Sequence, residues 1–457
     1  MGIIQESLSR GRCDGEAPWL LVTNTFIPCF QKAQLAETSA GIHIFGNGFI
    51  LPDSQEQAPL SNDPSNGEKH ALLPEWATDM DVNDDMIRVK TGVMNNPPLY
   101  MTRNTTLRAW AIGTDVFSLN MARSQWKMPT GTINPTTLNR DSTTSFIGIS
   151  QLPAHSYMEI RDPSSGWQFS IQELYDPLFV VLRPQITDFD EAGLKLVGAL
   201  QTGVAAVTEG ETEVATLLSG GIDSGACWLS LGNEHAEAQE LADFLGINLV
   251  RIELSAAEIL AAIPASMRAL GTAGRLQVDV SLIVSAVMRS GKIKERTVLT
   301  GYGADPLLLG VPPDSDEAEV LTESIISEAD GARHICELTD GVARACNKRL
   351  CHPFWHRDVI ETAVDIHPHC KVRNGREKAF FRAAMEQHMP KSAVWRQKIG
   401  IHLGGGLQGG LDACFGGAQR KVEAYGEIFE AITQKLLEDP FATIEGLHLD
   451  VYDRFSQ

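Results

Sequence analysis

The stretch ATLLSGGIDSGACWLS, residues 215–230, decides how this chain is read. An apolar run ends at Ser219-Gly220-Gly221, Asp223 follows, and Ser224 opens a run of small residues. A strand that leaves through paired glycines can turn sharply and aim backbone N–H groups at an oxyanion, and the N-terminus of a following helix adds a favourable dipole. That combination is an anion cradle. A Walker loop would supply a lysine through GKS or GKT, but here a carboxylate stands near instead. A carboxylate beside phosphates is sensible only where Mg²⁺ bridges the two. The competing reading is a plain glycine turn before a helix, with Asp223 an ordinary solvated side chain.

The flanking pattern places the cradle in an α/β unit. VATLL (214–218) reads as a buried strand, 233–245 as an Ala/Glu-rich helix closed by Gly246, and NLVRIEL (248–254) alternates like a strand. Ser255 and Glu258 form a capping-box signature, DVSLIVSAVMRSG (279–291) reads as a buried helix, and ERTVLT (295–300) as a strand leading into GYGAD. From about Asp188 onward, helices alternating with strands predict a parallel sheet. Before about residue 185 the chain is short apolar runs broken by Gly, Pro, Asn and Ser. WLLVTNTF (19–26), GIHIFGNGFIL (41–51), TLRAWAIGTDVFSL (106–119) and SFIGISQL (145–152) fit strands of an antiparallel or sandwich-like domain, with a polar loop at 51–70.

Bulk properties exclude several classes. At 457 residues the chain exceeds one ordinary core, so two domains are expected. Hydrophobic residues at 43% and charged residues at 21% are globular proportions. No stretch is apolar and long enough to cross a bilayer, and Glu6, Arg10 and Arg12 stand where an export signal needs its apolar segment. Eight cysteines without dense regular spacing read as reduced thiols, which makes a cytoplasmic location the expectation. A formal charge of −20 argues against a nucleic-acid surface, while a small anionic ligand needs only a local nest of N–H groups, a metal ion and one or two cations.

Ser219, Gly220, Gly221, Asp223 and Ser224 match the SGGxDS pattern of the PP-loop residue for residue, and further stretches agree in order. LTGYGADPLLLG (299–310), CHPFWHRDVI (351–360), GREKAFFRAAM (375–385) and VWRQKIGIH (394–402) resemble the β-lactam and carbapenam synthetase subfamily of the asparagine synthetase B-like enzymes. The resemblance covers about residues 210–405; PLYMTRNTTLRAWA (98–111) and IGISQLPAHSYMEI (147–160) are only faintly similar to the family's front domain. It implies an adenine nucleotide α-hydrolase-like PP-loop domain over 188–457, preceded over 1–187 by a degenerate Ntn glutaminase-like α+β domain.

The resemblance also implies a reaction: an ATP-dependent ligase forms a C–N bond by activating a substrate carboxylate as its adenylate, releasing pyrophosphate. The substrate's own amine then closes a four-membered lactam, in antibiotic or toxin biosynthesis. Carried over by position, Ser219, Gly220, Gly221, Asp223, Ser224 and Gly301 would bind ATP, and Asp223 and Asp305 would hold Mg²⁺. Tyr302 would take the amine proton with Glu337 as its carboxylate partner, since a phenol of reference pKa about 10 needs help to lose its proton at neutral pH. Lys398 would stabilise the oxyanion. The expected partner is a small amino-acid substrate, with no nucleic acid and no membrane, and a homodimer stays open. Another asparagine synthetase-like amide ligase, a peptide macrocyclase and a non-catalytic nucleotide-binding homologue are the alternatives.

Other constellations carry less. Cys346, Cys351, His352 and His356 match no common structural zinc spacing, and Phe380, Phe381 and Met385 at helical spacing read as core. Three departures from the family stand out. The sequence starts Met1-Gly2, where glutamine-hydrolysing relatives need Cys at the second position, so the nitrogen is expected from the substrate or a free amine. The chain between Asp223 and 233–245 is shorter than in relatives. Leu403 stands where they carry an acidic residue after the histidine.

Overall fold

The computed structural model describes residues 21–23, 25, 27–30, 35–37, 42–45, 79–82, 86–137, 141–161, 168–174, 184–218, 222–229, 249–250, 252–335, 340–397 and 407–456. The strands of its first half are β1 (Leu21–Thr23), β2 (Leu35–Glu37), β3 (His43–Phe45), β4 (Asp79–Val82), β5 (Met86–Lys90), β6 (Tyr100–Asn104), β7 (Ala109–Gly113), β8 (Ser150–Gln151), β9 (Ser156–Arg161) and β10 (Gln168–Glu173). Three more follow, β11 (Val214–Thr216), β12 (Thr297–Leu299) and β13 (Arg349–Cys351). The helices that build and support the site are α1 (Val116–Gln125), α2 (Phe189–Thr208), α3 (Ile222–Leu229), α4 (Arg275–Arg289), α5 (Ala304–Leu308), α6 (Ala318–Ile335), α7 (Ala379–Met385) and α8 (Ala418–Glu438).

The first ten strands form two antiparallel sheets, ordered β2-β3-β1-β7-β6-β8 and β10-β9-β5-β4. Period-two patterning decides their packing. In β5, Ile87 and Val89 are buried and pair across to Ile160 and Met158, whereas Met86, Arg88 and Lys90 are half-buried. These inward residues join Val22, Met101, Trp110 and Ile112 of the six-stranded sheet, and Leu99 just before β6, in one core, so the sheets lie face to face. Strand β7 is buried throughout because its other face, through Ala109 and Ala111, belongs to a second core shared with helices. There Phe117 of α1, Phe146 and Phe429 of α8 meet with ring centroids 5.1 to 5.7 Å apart, which joins the two halves of the chain.

Two predicted strands are corrected. In TLRAWAIGTDVFSL the strand stops at Gly113, because the Asp115 carboxylate accepts from the N–H of Phe117 and starts α1. In SFIGISQL only Ser150 and Gln151 are strand, since Gly148 at φ +66° breaks the extended path. The loop at 51–70 and the helix at 233–245 lie outside the described residues.

The parallel sheet expected after Asp188 is present, in the order β11-β12-β13, with Ala215 beside Val298 and Val298 beside Leu350. Central β12 is fully buried, but β11 covers only 214–216 and is half-buried, because it lies at an edge of the described sheet. The expected strand at 248–254 makes no ladder in its described residues. Leu249, Ile252 and Leu254 are half-buried while Val250 and Glu253 are exposed, so the alternation belongs to an extended surface segment. Helix α2 begins at the N-cap Asp188 and buries Ala192, Leu196, Leu200, Val204 and Val207 at helical spacing. The capping box at Ser255 and Glu258 is formed, and Phe380, Phe381 and Met385 are core. Among the described residues no single helix is long and apolar enough to cross a membrane.

Candidate functional site

The site is assembled where the parallel strands end. As β12 leaves the sheet, the N–H of Thr300 donates to the carbonyl of Cys351, and Thr300 Oγ1 lies 2.6 Å from His352 Nδ1. The same hydroxyl accepts from the N–H of Tyr302 at 3.1 Å, and the Thr300 carbonyl accepts from the thiol of Cys227 in α3. Burial, and then Asp223, push that thiol well above the ordinary cysteine range, so Cys227 acts as an apolar plug. One buried threonine thus ties together β12, β13, α3 and the turn that carries Tyr302.

The glycines of GYGAD have separate causes. A Cβ on Gly301 would come within 2.6 Å of the backbone of Asp223 and Ser224, so this loop touches the first turn of α3 directly. Gly303, at φ +96°, lies against the indole of Trp355, where a Cβ would approach to 2.3 Å. The turn therefore sets Tyr302 edge-on to His352 at 5.2 Å and to Trp355 at 5.0 Å, partly buried, and starts α5 so that Asp305 falls in its first turn.

Asp223 and Asp305 converge on one cation. Lys378 Nζ lies 2.5 Å from Asp223 Oδ2 and 2.6 Å from Asp305 Oδ1; the lysine side chain is completely buried, Asp223 is 15% exposed and Asp305 38%. Lys378 itself holds φ +54°, ψ 28° as the residue before α7, a conformation that a residue with a Cβ adopts at a cost of about 1 kcal/mol or more. Sequence reading quoted its stretch, GREKAFFRAAM, without singling out the lysine. The available signal was a charge wedged against the buried pair Phe380-Phe381.

Beside the pair opens a cleft of about 170 Å³, lined by Tyr302, Asp305 and Pro306 on one wall and by Ser324, Glu328 and Ile335 of α6 on the other. Glu328, also unremarked in the sequence, presents an exposed carboxylate there. Ser224 is buried in α3 behind Asp223. Ser219, Gly220, Gly221, Glu337 and Lys398 lie outside the described residues. The backbone just before Lys398 is nevertheless gripped: Arg376 donates to the carbonyls of Trp395 and Arg396, and buried Arg382 to those of Val394 and Arg396.

The fit of a metal can be judged from the donor set. Two carboxylates aimed at one point require a positive charge between them, which Lys378 supplies in the described arrangement, and hard oxygen donors suit Mg²⁺. Asp223 and Asp305 are the residues that would hold it.

Residues 227–348 and 332–422 match the family model Asparagine synthase. The chain is also 30% identical over 276 residues, 57% of its length, to a carboxyethyl-arginine beta-lactam-synthase of Streptomyces clavuligerus. It spans about half, 52%, of that relative. Residues 227–422, which carry β12, β13 and the Tyr302 turn, are thus similar to an asparagine synthase domain, and the chain is similar over part of its length to a β-lactam synthase.

Proposed function

We propose that this chain is an ATP- and Mg²⁺-dependent amide-forming synthetase that closes a lactam ring from a β-amino acid, with AMP and pyrophosphate as the other products. In this reading residues 188–457 are the synthetase domain and residues 1–187 a degenerate glutaminase-like domain. The observation that carries it is the meeting of Asp223 and Asp305, distant in sequence, on Lys378 beside the Tyr302 cleft.

The roles follow from chemistry at stated atoms. The substrate occupies the cleft between Tyr302 and α6, with its carboxylate toward the Asp223–Asp305 end and its amine toward the Tyr302 phenol. Mg²⁺ at the two aspartates would neutralise charge on the departing pyrophosphate. Lys378 keeps the two carboxylates converged. As the amine attacks the adenylated carbonyl and AMP leaves, Tyr302 accepts the amine proton while its own phenolic proton passes to the Glu337 carboxylate, and Lys398 stabilises the oxyanion at the carbonyl under attack. Shielding by His352 and Trp355 holds the phenol ring edge-on, which limits its rotation without charging it.

The nitrogen comes from the substrate. Cys29, the one described cysteine of the first domain, has a thiol pushed up to about 11 by burial, so it holds little thiolate at neutral pH. The face-to-face antiparallel sheets of residues 21–173 support a glutaminase-like ancestry for that domain.

The test is substrate-dependent exchange of labelled pyrophosphate into ATP, screened over carboxyethyl-arginine, other β-amino acids and diamino acids, with product mass read for loss of water. Exchange together with a dehydrated product is expected for at least one β-amino acid. Exchange with none of them, at millimolar substrate and saturating Mg²⁺, would overturn the reading.

A further inference from the structure

The wall of the cleft opposite Tyr302 is α6, through Ser324, Glu328, Ala332 and Ile335, and its position depends on what holds the backbone carbonyls of that helix in place. In α6 two of them are taken by buried glutamines from elsewhere in the chain. Gln151, in β8 of the six-stranded sheet, donates from Nε2 to the carbonyl of Arg333 at 3.2 Å, and its Oε1 lies 3.3 Å from Nδ1 of His334. Gln277, in the first turn of α4, donates from Nε2 to the carbonyl of Ile335 at 2.8 Å. Both glutamines are about 95% buried, so each bond is shielded from water and its loss would strand polar groups.

The two donors are fixed to one frame. The N–H of Ala273 and the hydroxyl of Thr272, just before α4, both donate to the carbonyl of Pro135 in the first half of the chain. Strand β8 is in turn laddered to β6, with Gln151 opposite Tyr100. Ala332 and Ile335, on the same turn as the gripped carbonyls, line the cleft.

We infer that Gln151 and Gln277 are positioning residues that clamp α6 at the carbonyls of Arg333 and Ile335 and thereby set the cleft wall facing Tyr302. The first half of the chain is therefore a working part of the proposed synthetase site through Gln151. The inference rests on the proposed function only for its consequence in catalysis. The clamp itself can be tested without substrate.

The experiment uses the full chain and the near-isosteric variants Gln151→Met and Gln277→Met, separately and together. Hydrogen exchange in ligand-free protein should accelerate about tenfold per variant in the peptide spanning 331–340, the scale of one buried hydrogen bond, with amides of α8 unchanged. With carboxyethyl-arginine or the β-amino acid found by the screen, ring-closure kcat should fall about tenfold while pyrophosphate exchange and KM for ATP keep their parental values. Unchanged exchange at 331–340 would overturn the clamp, as would equal acceleration in α8, which signals general loosening. A parental protein that shows no pyrophosphate exchange overturns the proposed function instead and leaves hydrogen exchange to decide the clamp. Parental ring closure in the double variant would overturn the positioning role.

Discussion

Two fully buried lysines, Lys378 and Lys421, each sit between two aspartates, and the clusters do different things. Lys421 of α8 lies 2.8 Å from Asp279 of α4 and 2.6 Å from Asp412. The Tyr425 phenol also donates to Asp279 at 2.8 Å, its own pKa pushed well up by burial and then by Asp279. Asp279 is 2% exposed and Asp412 24%, so the cluster is a polar staple between α4 and α8 that is closed on its Asp279 side. Around Lys378 the charges are the same, but Asp305 reaches the cleft and the neighbouring turn brings an aromatic hydroxyl to its edge. The comparison teaches that charge composition does not mark a site; the carboxylate left facing a cavity does. A third buried lysine, Lys371, has a carbonyl for a partner, that of Leu307 at 3.0 Å. Without a carboxylate beside it, desolvation lowers its pKa to about 7.

The sharpest break in the comparison is Asp305→Ala. Pyrophosphate exchange should vanish into background while the thermal midpoint stays within a few degrees, since Asp305 is the most open member of the pair. Normal turnover would place both clusters in the structural class. Next is Lys421→Met, which leaves Asp279 buried without its cation. It should destabilise by about 3–5 kcal/mol in urea unfolding, yet leave pyrophosphate exchange per folded molecule at the parental value. A loss below 1 kcal/mol would show that the staple is not what holds α8.

Tyr302→Phe probes the hydroxyl that the open cluster has and the closed one spends on Asp279. Lactam formation should fall about 10²-fold or more with adenylation retained, the usual scale for a proton-transfer group; loss of both would place Tyr302 at the nucleotide. The smallest effect is a pH slope. The folded pKa of Lys371, about 7, lies below the ordinary 10.5, so between those values the unfolded chain binds a proton that the folded chain does not. Stability should rise with pH across that window, by about 1.4 kcal/mol per unit at most, and be lowest below about pH 7. Urea midpoints at pH 7 and pH 9 measure it, and Lys371→Met should flatten the difference.

Much of the second half of the chain was legible because its signals are local. Ser255 and Glu258 close a capping box within four residues, the apolar period of 279–291 needs no partner to be seen, and GYGAD states its turn chemistry in the glycines. Reading failed where a local choice was overruled. Asp115 ended an apolar run that otherwise resembles strand, and the apolar VATLL proved half-buried because burial depends on which strands lie alongside it. Lys378 and Glu328 were missed for the same reason: a charged residue in a helical stretch reads as a solvated face until its neighbours are known.

What the sequence by itself determined is therefore the residue inventory and part of its local conformation: Asp223 at a helix start, Tyr302 between two glycines in a turn, and the family-like pattern across 210–405. Only the tertiary structure decided which charges meet. It joined Asp223 and Asp305 through Lys378, sealed Asp279 with Lys421 and Tyr425, and brought Gln151 of the front half to Arg333 of α6. The physical reason is that Coulomb energy and desolvation depend on distance and burial in space, and neither quantity is carried by separation along the chain.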